Sequence, residues 1–156
     1  MTLQEISNPP AATTTNGHDS LPACRKLVAG AATAIAREPN RMGAWRLVGS
    51  MLEARKAFQS HIALSRSPQG PLLHLAEGSP RLHAYLRKLF AEHGKILARF
   101  DNLIATANRE KADHPGPANK LRASAAHCNA ALAAYERRFH EVVFEWSHRD
   151  LGGEAG

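Results

Sequence analysis

The stretch from Ser79 to Asn108, SPRLHAYLRKLFAEHGKILARFDNLIATAN, constrains the fold more than any other part of the chain. Leu82, Leu86, Leu89, Phe90, His93, Ile96, Leu97, Phe100 and Ile104 recur at steps of three and four. At about 100° per residue these positions share one side of a helix, and a helix with one apolar side must lay it against other elements. Ser79 and Pro80 mark its start, because a serine hydroxyl accepts an orphan N–H at the N-cap and proline has no N–H to leave unpaired at the next position. His93 stands in the middle of the apolar side. Its ring nitrogens need partners, since a buried polar atom left unpaired costs about 1–3 kcal/mol. Two kinds of partner would satisfy it: a carbonyl or side chain across the core, or a metal ion shared with ligands from other helices.

The rest of the chain supplies the helices for such a core. Ser20-Leu21-Pro22 reads as the capped start of a helix to about Arg37, whose small apolar side (Cys24, Leu27, Val28, Ala31, Ile35) and Gly30 make it dependent on a partner surface. Pro39-Asn40 breaks the chain before a stronger helix from about Arg41 to Ser65. Leu47, Met51, Ala54, Phe58, His61 and Ile62 share one side of it, which brings a second histidine to the edge of a core face. The prolines and glycine of SPQGP stop that helix, and Leu72 to Glu77 reads as a short helical turn. After the HPGP connection, Pro117 opens a last helix to about Arg149, with Leu121, Ala125, Cys128, Leu132, Tyr135, Phe139, Val142, Val143 and Trp146 on its apolar side and Asp150-Leu151-Gly152-Gly153 as its stop.

No strand-like alternation, internal repeat or Gly-rich phosphate loop interrupts this pattern. The expected fold is all-α, an antiparallel four-helix bundle over residues 21–150. Residues 1–20, rich in Pro, Thr, Asn and Ala, read as a disordered tail, and residues 151–156 as a C-terminal tail.

A chain of 156 residues can bury one core without disulfides or metal. Cys24 and Cys128 lack CxxC spacing and form no disulfide framework, so a reducing, cytoplasmic setting is expected. No apolar run approaches the roughly 18 residues of a membrane span. The net charge of +6 raises the question of a nucleic-acid partner, but the arginines are spread over the polar sides of helices and no aromatics interleave them. Nucleic acid is therefore not the expected partner, while a protein partner stays open.

Catalytic signals are missing where they would be sought. Cys128 lies on a core face, where cysteine behaves as a small hydrophobe, and no serine stands on a strand-to-helix elbow. His140-Glu141 lacks the second histidine of HExxH, and no paired carboxylates occupy an apolar face. The chain is not expected to be an enzyme. Of its nine histidines, His93 is central and His61 marginal on core faces; His127 and His140 flank the last apolar stripe, with His140 and Glu136 placed as an exposed i,i+4 pair. His18, His83, His114 and His148 read as solvent-facing, and His74 is left unassigned.

The run SHIALSRSPQGPLLHLAEGSPRL, the later LFAEHGKILARFDNL and the ending EWSHRDLGGE together resemble bacterial hemerythrin-like (HHE cation-binding) proteins in motif order and spacing over about two-thirds of the chain. The resemblance implies an antiparallel helical bundle around a non-haem, usually di-iron, centre held by inward histidines and carboxylates. His61 and Glu92-His93 match the family pattern, with His93 as the inward ligand. Ser65-Arg66 stands where an acid is expected, and Tyr135-Glu136 and Phe139 stand where the last helix should bring His-Glu and a further carboxylate. The candidate metal ligands are thus His61, His93, Glu136 and Tyr135. They give two expectations: a bundle with a lost or reduced di-iron site acting as a binding or regulatory module, with His93 bonded to Tyr135 or His61 and no cofactor; or a non-haem iron protein that binds or senses oxygen or nitric oxide, or handles iron.

Overall fold

The computed structural model describes residues 20–38, 40–68, 70–112 and 118–155, and every regular element among them is helical. In chain order these are α1 (Leu21–Arg37), α2 (Arg41–Arg66), α3 (Pro71–Ala76), α4 (Pro80–Ala112) and α5 (Ala118–Ala155). The expected disordered tail, apart from Ser20, and the HPGP stretch with His114 lie outside the described residues.

The helix ends follow from local chemistry. Ser79 Oγ accepts the Leu82 N–H at 3.2 Å, and Asn40 Oδ1 accepts the Gly43 N–H at 2.9 Å. Each satisfies one of the donors a helix start leaves unpaired. Ser20 departs from the expected cap: its hydroxyl donates to the Ala57 carbonyl of α2 at 2.6 Å and so fastens the start of α1 to its neighbour. Gly78, at φ 77°, makes the turn from α3 into α4 in the left-handed region that a side chain would disfavour. The expected stop near Arg149 is not observed, for α5 continues through Asp150-Leu151-Gly152-Gly153 to Ala155. Glycine weakens a helix by about 1 kcal/mol but, unlike proline, keeps its N–H and clashes with nothing.

The four long helices pack in a ring: α1 on α2, α2 on α4, α4 on α5 and α5 on α1, with α3 touching α2, α4 and α5. Side-chain pairs fix the register. From Arg55 to Arg66 along α2, the contacts run backwards along α4, from Asp101 to Phe90. From Tyr85 to His93 along α4, they run backwards along α5, from Trp146 to Tyr135. Where α2 begins beside the end of α1, a Cβ on Gly43 would lie 1.8 Å from the Glu38 carbonyl oxygen, so the approach requires glycine.

The apolar sides meet inside the ring. Leu21, Ile35, Leu47, Met51, Phe58, Leu82, Leu86, Phe100 and Leu132 are essentially inaccessible. Burying each of these large side chains contributes roughly 1.5–3 kcal/mol against leaving it in water. Among the described residues no helix is long and apolar enough to cross a membrane.

Candidate functional site

Three of the polar residues singled out by helix phase converge in the middle of this core. His61 comes from α2, three residues beyond Phe58 on the same stripe; His93 comes from α4; Tyr135 comes from α5, three residues beyond Leu132. All three are at most 1% exposed. The Tyr135 Oη lies 2.6 Å from His61 Nε2 and 2.7 Å from His93 Nε2, so one phenol bridges two imidazoles.

The direction of each hydrogen bond follows from a residue at the rim. Arg66, the last residue of α2, lays its guanidinium over the Phe90 ring at 5.3 Å, donates from Nη2 to the Phe90 carbonyl at 3.0 Å, and donates from Nε to His93 Nδ1 at 3.3 Å. Arginine has only donors, so His93 Nδ1 must accept and a neutral His93 carries its hydrogen on Nε2. That Nε2–H donates to the Tyr135 oxygen. The phenol's own hydrogen then goes to His61 Nε2, which leaves the His61 hydrogen on Nδ1. Ser65 Oγ, 3.4 Å from His61 Nε2, donates to the His61 carbonyl at 2.8 Å. Among the described residues no buried side-chain nitrogen or oxygen lacks a partner.

Charge and packing hold His93 neutral. Burial, then the Arg66 guanidinium, then His61 push the His93 pKa down to about 4. Phe58 sets its edge against His93, Tyr135 and Phe100, and Phe139 sits 4.7 Å from His61, so aromatic rings fill the space around the three polar groups.

Glu136, the remaining candidate ligand, does not join them. It lies one residue, about 100° of helix, past Tyr135 and faces α1, where Arg25 Nε donates to it at 3.0 Å while Arg25 Nη1 donates to Asn129 at 2.8 Å. The expected pairing of Glu136 with an exposed His140 is thereby replaced. Glu92 likewise faces away from the centre and pairs with Arg138. His83, His127, His140 and His148 are exposed, as is His74, 4.0 Å from Glu77. His18 and His114 lie outside the described residues. The Cys128 thiol is pushed up to about 12 by burial and is not a nucleophile at neutral pH.

These residues do not fit a di-iron centre. Such a site needs several inward donors, carboxylates among them, to offset the metal charge, and among the described residues no group of three or more His, Cys, Asp or Glu side chains is placed to hold an ion. The polarity at His93 is also reversed. An imidazole that binds metal through Nε2 carries its hydrogen on Nδ1 and donates it to a carboxylate, carbonyl or water; here Nδ1 faces a guanidinium N–H. Arg66 and Ser65 stood out in the sequence only as departures from the family pattern. Their contacts with the two histidines depend on how α2 ends against α4, which helix periodicity does not specify. Comparison finds no matching family model, no matching curated protein and no matching solved structure.

Proposed function

We propose that the chain is a hemerythrin-like antiparallel four-helix bundle in which the hydrogen-bonded His61–Tyr135–His93 centre stands in place of a di-iron site, and that it serves as a non-catalytic binding or regulatory module. The ring of four long helices and the reversed register of neighbouring pairs support the bundle. The contact that carries the functional reading is the Arg66 Nε–H donated to His93 Nδ1. It assigns the His93 hydrogen to Nε2, where a metal ligand would need a lone pair. A buried centre with its hydrogen bonds satisfied contributes to folding and leaves recognition to the outer faces of the helices.

Metal analysis and absorption spectra of protein purified from iron-supplemented cells test this. The expected result is no stoichiometric iron and no oxo-bridged band; two irons per chain with such a band would overturn it. The convergence of two Nε2 atoms and a phenol oxygen favours one second reading, a single cation held by His61, His93 and Tyr135 once Arg66 has moved. Under that reading Arg66→Met would take up metal more readily than the wild type, whereas the closed-core reading expects both proteins to stay free of metal.

A further inference from the structure

We propose that the cleft between α4 and α5 beside Arg99 binds a small oxyanion, a phosphate or a carboxylate. This names a ligand class for the binding-module reading but rests on residues separate from the His–Tyr–His centre.

The cleft has a structural origin. Further along α5, the bulk of Tyr135 and Phe139 fills the space inside the ring, but near its start the helix brings Ser124, His127 and Cys128 to the cleft facing α4. The gap left is about 200 Å³, smaller than the roughly 300–1,000 Å³ of sites for drug-sized ligands. Arg99, Asn102 and Thr106 line one wall at helical steps of three and four; Ser124 and His127 line the other, over a buried Cys128.

The wall chemistry selects an anion. Guanidinium, amide and hydroxyl groups all present donors, and no carboxylate lines the cleft. Among the described residues Arg99 forms no ion pair, and the nearby Asp101 is engaged by Arg55 at 2.7 Å on the side of α2. Arg99 is exposed at the mouth of the cleft and lines its α4 wall, where its charge reaches the buried Cys128 thiol. Arg109 Nη2 donates to Thr106 Oγ1 at 3.3 Å, bringing a second guanidinium to the rim and leaving the threonine hydrogen to be donated to a ligand. Charge-assisted hydrogen bonds over an apolar floor are stronger than the same bonds in open water.

Titration of the full chain with inorganic phosphate, followed by amide chemical shifts, tests the site. Saturable shifts confined to residues 99–106 of α4 and 124–128 of α5 are expected. Arg99→Gln should weaken binding by about tenfold or more with unchanged thermal unfolding, while Arg87→Gln, on the exposed side of α4, should leave it intact. Acetate matching phosphate in competition assigns a carboxylate ligand, and phosphate alone assigns a phosphate. Absence of saturable shifts, or equal loss in Arg99→Gln and Arg87→Gln, would overturn the proposal. Metal content reads the core separately, so the two readings fail independently.

Discussion

Replacing Tyr135 with phenylalanine removes one oxygen atom and keeps the ring that packs 5.5 Å from Phe58 and 6.2 Å from Phe139. If the core were held by apolar packing alone, the change would be neutral or slightly stabilising. Here the lost oxygen is the shared partner of His61 Nε2 and His93 Nε2, both in side chains with at most 1% exposure. Each orphaned imidazole nitrogen costs about 1–3 kcal/mol. Ser65 Oγ, already 3.4 Å from His61 Nε2, can turn toward it and recover part of that cost. A net destabilisation of about 2–4 kcal/mol is expected, which for a chain of this size lowers the Tm by roughly 5–15 °C. Urea unfolding should show a lower midpoint at unchanged slope, the signature of lost stability rather than altered compactness. A Tyr135→Phe protein within about 0.5 kcal/mol of wild type would refute the reasoning, since that is the scatter of inert surface substitutions.

Acid should probe the same centre. The ordinary histidine pKa of 6.5 falls to about 4 for His93 in the fold, so the unfolded chain takes up this proton first. The stabilisation is therefore complete above pH 6.5 and lost as pH falls from there through 4, a change of about 3 kcal/mol, and His93→Phe should flatten the unfolding free energy across that window. Two glycines of α2 should respond in opposite directions. Gly43→Ala forces a Cβ onto the Glu38 carbonyl and should cost about 1–3 kcal/mol, whereas Gly49→Ala meets nothing within 4 Å and should gain about 0.5–1 kcal/mol from helix propensity. Thermal unfolding of the two variants checks both signs.

Helix positions were legible because periodicity and punctuation agreed. The apolar stripe of α4, its Ser79-Pro80 start and the break at SPQGP each rest on local chemistry, and each is found where the sequence places it. His93 and Tyr135 fall on core faces for the same reason and are buried there, while His61, expected at the edge of its face, is fully buried. Ser20 has the sequence of a local cap, but its hydroxyl finds a carbonyl on another helix, a competitor that local rules do not see. Glu136 adjoins an inward residue, and one step of helix turns it to Arg25 on α1, a direction that its place beside Tyr135 does not reveal. The end of α5 lies beyond the expected stop because paired glycines lower helix propensity without forbidding the conformation. The α4–α5 cleft has no signature in the sequence, since it is made by side chains meeting across two helices rather than by any motif on one.

The most direct test of the closed core is the tautomeric state of its two histidines, read at pH 7 from long-range proton–nitrogen correlations in uniformly nitrogen-15-labelled protein. His93 should carry its hydrogen on Nε2 and His61 on Nδ1, with the His93 pattern lost in Arg66→Met. A His93 ring protonated on Nδ1 in the wild type, with Nε2 free to accept or to bind a metal, would contradict the assignment of Arg66 as the donor that closes the site.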